Sequence, residues 1–281
     1  MTPAVARLRR SKARLARWLA VASCAVLVWP LVDITIRVTV LALPALRPQL
    51  LWESTTGIAG GLANALWGTL VLVAAAAVVV LPVGILAGLY LVEFPGRLVS
   101  LVRTGTSVLT GVPSIVVGYV GYLTMVTALG WGFSLAAGAV ALAVIMLPYV
   151  VRTTEVALLR VPASWREASL SLGASRTTTA LRVSLRGALP GIITGSLLAL
   201  GIGLGETAPL LYTAGWSNYM PAAALTHSPV GYLTYVVWTY INEPFTQAHQ
   251  LAYAAAFLLM LLVLGTNIVA RLTVGRTALR S

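Results

Sequence analysis

The 281-residue chain is 59% hydrophobic and only 9% charged, with a formal charge of +12. An ordinary soluble domain carries about a quarter charged residues, so this composition excludes one and calls for lipid as the solvent. A single cysteine, Cys24, excludes a disulfide framework or a cysteine metal site, and the arginines flank apolar runs instead of forming one stripe, which argues against nucleic acid as a partner.

Residues 1–17 form a basic N-terminus with Arg7, Arg9, Arg10, Lys12, Arg14 and Arg17. The apolar run from Trp18 to about Ile36 is long enough to cross the hydrocarbon core, which takes about 20 residues, and no small-residue cleavage pattern follows it. It is read as a signal anchor and first span. Within it Asp33 and Arg37 stand i, i+4 and read as a structural ion pair. Five further apolar segments lie near 64–92, 109–129, 134–151, 188–211 and 251–270. Each is expected to be a helix, because unpaired backbone amides are costly in hydrocarbon and the alternating pattern of a barrel is missing. The fold class expected is therefore all-α, a polytopic membrane protein with six transmembrane helices over residues 18–271 and a short tail, 272–281.

Placing the N-terminus inside puts seventeen of the nineteen cations on the cytoplasmic side, leaving only Arg37 and Arg47 at or beyond the outer face. The positive-inside rule then predicts N-in, C-in topology. Two stretches between spans differ in composition. Residues 152–187 are polar and arginine-rich and fall inside. Residues 212–250 fall outside, and their Tyr212, Trp216, Tyr219, Tyr232, Tyr235, Trp238 and Tyr240 suit an interfacial aromatic belt, broken into short pieces by Pro221, Pro229 and Pro244.

The inner loop is patterned. Glu167, Ala168 and Ser169 precede Gly173, and Val183 and Leu185 follow after a run containing Arg176, Thr177, Thr178, Thr179 and Arg182. This resembles the Glu-Ala-Ala motif of ABC importer permeases, in which a coupling helix docks on the ATPase subunit. Gly173 suits a sharp elbow between two short helices, since glycine alone takes a positive φ without steric cost. Ser169 replaces the second alanine of the motif, and Arg186 stands where the motif has proline, with Pro190 four residues on as an alternative break. Gly111-Val112-Pro113-Ser114-Ile115-Val116-Val117-Gly118, Gly205-Glu206-Thr207-Ala208-Pro209-Leu210 and Arg152-Thr153-Thr154-Glu155 are similar to stretches of phosphate importer permeases.

That resemblance implies the type I, MetI-like permease fold and the import of inorganic phosphate across the bacterial cytoplasmic membrane. It also implies a second permease chain as heterodimer partner, two ATP-binding cassette subunits, and a periplasmic or lipid-anchored phosphate-binding protein. ATP and Mg would belong to the ATPase subunits and no cofactor to this chain, in which no Gly-x-x-x-x-Gly-Lys-Ser/Thr loop occurs. The coupling residues implied are Glu167, Ala168, Ser169, Gly173, Val183 and Leu185.

The translocation pathway is assigned to Pro113, Ser114, Arg152, Glu155, Glu206 and Thr207. Pro113 either opens the third span to expose a helix start or merely kinks it so that it packs. Glu206, a carboxylate in an apolar helix, either pairs with an arginine of the partner chain or accepts a proton from monobasic phosphate. Four residues before it the family carries an arginine, and here Ile202 stands instead, so the cation comes from the partner or from Arg152, or the anion is another one, such as sulfate or molybdate. An ion-coupled secondary carrier is the alternative class, although it would show inverted repeats and paired broken helices, and only one break, at Pro113, is legible. His227 and His249 are isolated and lack the spacing of a zinc site.

Overall fold

The computed structural model describes residues 3–94 and 96–278, with side-chain surroundings for 12–94 and 96–272. The side chains of Arg7, Arg9, Arg10, Arg276 and Arg280, which enter the charge asymmetry above, lie outside the described residues. The chain is a helical bundle: α1 (Pro3–Ala42), α2 (Ala63–Glu93), α3 (Arg97–Gly111), α4 (Ser114–Gly121), α5 (Leu135–Leu159), α6 (Ala163–Ser171), α7 (Arg176–Thr179), α8 (Leu185–Gly205), α9 (Ala208–Thr213), α10 (Leu233–Tyr240) and α11 (Thr246–Ala278). Wider π turns at Tyr122–Ala128 and Ala180–Ser184 continue α4 and lead into α8. The only strands among the described residues are Thr55–Thr56 and Ala59–Gly60, a two-stranded antiparallel hairpin.

Among the described residues five helices are long and apolar enough to cross a membrane, and a sixth counts if α3 and the α4 segment, bent by 101° to one another, together make one span. The segment expected as the third span is thus a bent pair of helices. Pro113 has no amide to donate and drives Val112 out of the helical region, to φ −77° and ψ 126°, so α3 ends and α4 starts afresh at Ser114. The helix breaks at Pro113 and does not merely kink there, and the new helix packs on α9. The segment expected over 134–151 runs on to Leu159, because Arg152 and Glu155 satisfy each other within the helix and its polar last turns do not fray. Pro190 breaks nothing: it lies inside α8.

The core is built around α5, gripped between α2 and α8. Small residues let the backbones approach. A methyl placed on Gly84 or Gly88 of α2 would come within 2.6 Å of Val150 or Thr154, and one on Gly191 or Gly195 of α8 within 2.8 Å of Ala157 or 2.3 Å of Thr153. Leu72, Leu142, Met146 and Val150 fill the centre. By contrast α1 presents Trp18, Val26, Leu27 and Trp29 outward and packs against α11.

The stretches assigned to opposite sides of the membrane lie at opposite ends of the bundle. At one end the Asn64 side-chain amide donates to the Ser217 carbonyl at 2.8 Å, and the Tyr240 hydroxyl donates to the Gly57 carbonyl. At the other, Arg166 of α6 meets Glu93, the last residue of α2, at 2.8 Å. The aromatic belt is corrected in part. Tyr219 and Trp238 are exposed, but Tyr232 and Tyr240 are buried and Trp216 stacks on Tyr235 with ring centres 4.4 Å apart, so most of these rings pack the outer end of the core.

Candidate functional site

Two helix breaks meet in the middle of the molecule. One is at Pro113; the other is at Glu206, where the backbone turns to φ −73°, ψ 132° between α8 and α9. This second break is one that hydropathy did not reveal, since residues on both sides of it are apolar. It is held open by the Thr234 hydroxyl, which donates to the Glu206 carbonyl at 2.9 Å. The new helices pack together: a methyl on Gly118 of α4 would fall 2.7 Å from Pro209 Cα, so only glycine permits this approach. The Gly111–Gly118 and Gly205–Leu210 stretches are therefore one structural unit. Glu206 and Ser114 stand at the two breaks on either side of this contact, both half-buried, and Ile202 lies half-buried one turn before Glu206. Pro113, Ser114, Glu206 and Thr207 are brought together.

Arg152 and Glu155 form a second cluster on α5, and a residue missed from sequence completes it. The Glu155 side chain is 4% exposed, yet both its oxygens are held by arginines: Arg103 Nη2 donates to Oε1 and Arg152 Nη1 to Oε2, each at 2.7 Å. Desolvating a carboxylate is costly unless it is paired and hydrogen-bonded, and here it is doubly so. The two guanidinium groups are largely exposed and look into an open cleft of about 530 Å³ between α3 and α5, lined also by Thr106, Ser107, Thr110, Pro148 and Val151. The cluster carries two positive charges against one negative. Sequence did hold a signal for Arg103: with Thr106, Ser107 and Thr110 it falls at i, i+3, i+4 and i+7, a polar stripe on a helix whose other face bears the exposed Leu98, Leu101 and Val108.

The patterned loop forms an elbow. Gly173 has φ +83°, with its amide bonded to the Leu170 carbonyl at 2.9 Å and the Ala174 amide to the Ser169 carbonyl at 3.2 Å, the paired closure that ends α6 on a left-handed residue. Ser175 then caps α7, accepting from the Thr178 amide at 3.2 Å. Ser169, the departure from the alanine of the motif, has a use: its hydroxyl lies 2.9 Å from that of Thr179 and ties α6 to α7. Glu167 and Ala168 are exposed on α6, and Val183 and Leu185, half-buried, lie on the continuous helical stretch that becomes α8.

Asp33 and Arg37 are joined at 2.7 Å, as read from their spacing. His249 Nε2 lies 2.7 Å from the Glu243 carbonyl, and His227 holds a positive φ of 58° in the outer loop.

Residues 80–278 match the family described as binding-protein-dependent transport system inner membrane component. Over 257 residues the chain is 46% identical to phosphate transport system permease protein PstA 2 of Mycobacterium tuberculosis, covering 91% of this chain and 85% of that protein. Over 238 residues it is 39% identical to phosphate transport system permease protein PstA of Haemophilus influenzae, covering 82% of each. Among solved structures, an inward-facing conformation of the MetNI methionine ABC transporter aligns with a TM-score of 0.56 at 23% identity, over 75% of this chain and 95% of that one, a likeness of fold.

Proposed function

The chain belongs to the family of binding-protein-dependent transport system inner membrane components, a multi-pass protein of the cytoplasmic membrane, and from that premise we propose that it is a permease subunit of an ATP-driven importer of inorganic phosphate. The observation that carries the anion is the Arg103–Glu155–Arg152 cluster. A lone carboxylate facing the path would repel phosphate; two guanidinium groups sharing one carboxylate leave an excess cation, with free N–H donors suited to the paired oxygens of a phosphate. The family's missing arginine at Ile202 is answered from within this chain by Arg103. The relatives that carry phosphate in their names support the same substrate.

In this reading Pro113, Ser114, Glu206 and Thr207 line the outer part of the path and Arg103, Arg152 and Glu155 its inner part. A second permease chain would close the open side of the cleft, one of two ATP-binding cassette subunits would dock on the α6–α7 elbow and the other on the second permease chain, and the cassette subunits would hold ATP with Mg. An external phosphate-binding protein would deliver the ligand. A self-sufficient carrier with paired broken helices fits less well, although two breaks are present, because the elbow faces away from the bundle as a docking surface needs to.

The test is uptake of labelled phosphate by cells lacking this gene and regaining it, with unlabelled sulfate and molybdate as competitors. Restored uptake that only phosphate competes is expected. Restoration of sulfate or molybdate uptake in its place would refute the substrate.

A further inference from the structure

We propose that Arg166 is the positioning residue through which movement of the α6 coupling helix reaches the membrane core, an inference that rests on the permease reading above. Arg166 immediately precedes Glu167 and was counted by composition among the topology charges of the inner loop. Its surroundings differ from those of such a charge: its side chain is 21% exposed, against 69% for Arg152.

One guanidinium group touches three spans. Its Nε donates to Glu93 Oε1 at 2.8 Å and to Ser184 Oγ at 3.2 Å, Nη1 donates to the Val161 carbonyl at 3.0 Å, and Nη2 to the Leu158 carbonyl at 2.8 Å. Glu93 ends α2, Leu158 lies in the last turn of α5, and Ser184 ends the π turn that opens α8. The last carbonyls of a helix lack intrahelical partners, so Arg166 also caps α5 with a positive charge at the favourable end of its dipole.

Little else fastens α6 to the bundle. None of its residues is buried; besides Arg166 it is tied by the Ser169–Thr179 hydroxyl contact to α7, by the Trp165 ring against Gly187 and by packing on the Ala180–Ser184 turn, none of which reaches α2 or α5 with a polar bond. A displacement of α6 by a docked subunit therefore pulls on α2, α5 and α8 together, through a planar donor fork whose directions are fixed by its own bonding. Lysine at this position keeps the charge for Glu93 but has a single rotating ammonium group that cannot hold the two carbonyls in the same directions.

The experiment uses the assembled transporter with its own ATPase and binding-protein partners in proteoliposomes, reading anion imported and ATP hydrolysed in the same sample. Arg166→Lys is expected to assemble and hydrolyse ATP within about twofold of the parent while anion moved per ATP falls about a hundredfold, the scale of a remote misplacement. A parent-like ratio, or import and hydrolysis falling in equal proportion, would overturn the assignment. Should Arg166→Lys not accumulate, Ser184→Ala removes only the α8 arm, and its ratio is expected to drop about three- to tenfold; an unchanged ratio there overturns the assignment too. If the parent imports another oxyanion than phosphate, the substrate proposed above fails, while the ratio measured with that anion still tests Arg166.

Discussion

Replacing Gly173 isolates backbone conformation from packing. Its φ of +83° is in the left-handed region, and nothing lies within 4 Å of where a Cβ would sit, so any effect of a side chain there is conformational and not a clash. An L-residue pays about 1–2 kcal/mol in that region, and a β-branched one more. By mass action 1–2 kcal/mol lowers the population of the elbow about 5- to 30-fold. Asparagine tolerates the same region, so a graded series follows: Gly173→Asn near the parent, Gly173→Ala reduced, Gly173→Val reduced most. The assay is labelled phosphate uptake per permease at matched membrane abundance, alongside co-purification of the ATPase subunit. Valine transporting like the parent, or asparagine failing as badly as valine, would refute the reasoning, since the first denies the need for positive φ and the second denies that conformation is the cause.

Arg103→Ala should lower phosphate uptake at least tenfold without loss of the ATPase partner, on the scale of one lost charge-assisted anion contact of about 1.5–3 kcal/mol, and uptake kinetics would check it. Gly195→Leu sets a side chain where even a methyl lies 2.3 Å from Thr153, so α5 and α8 must part; thermal unfolding of the purified complex should fall by the several degrees that overpacking of about 1–3 kcal/mol produces. Glu206→Gln, which keeps the shape of the side chain but loses its charge, should weaken co-purification of the second permease chain if that chain supplies its cation; normal assembly with a flattened pH dependence of uptake would assign Glu206 to proton acceptance instead. For topology, with Cys24 changed to Ser, Tyr219→Cys should react with an impermeant thiol reagent from outside and Thr177→Cys only after permeabilisation, both positions being exposed.

What the sequence determined by itself are properties that depend on local chemistry. Apolar run length placed the spans, because lipid leaves helix as the way to pair the backbone of each run. Pro113 could be read as a break because a missing amide is a local fact, and Gly173 as an elbow because a positive φ selects its residue. The Asp33–Arg37 pair followed from helical spacing alone. Tertiary structure decided everything that joins residues far apart in the chain. Arg103 and Glu155 are 52 positions apart and Glu93 and Arg166 are 73, and nothing in either local pattern states that a charge is buried against a distant partner. Hydropathy ended the fourth span at Arg152 because it scores each charge as solvated, whereas paired charges let α5 continue to Leu159. The break at Glu206 is invisible to hydropathy because the segment is apolar on both sides; its local signal is Pro209 at the start of α9, which cannot continue the ladder of α8, while the hydroxyl that takes up the Glu206 carbonyl comes from Thr234, 28 residues away.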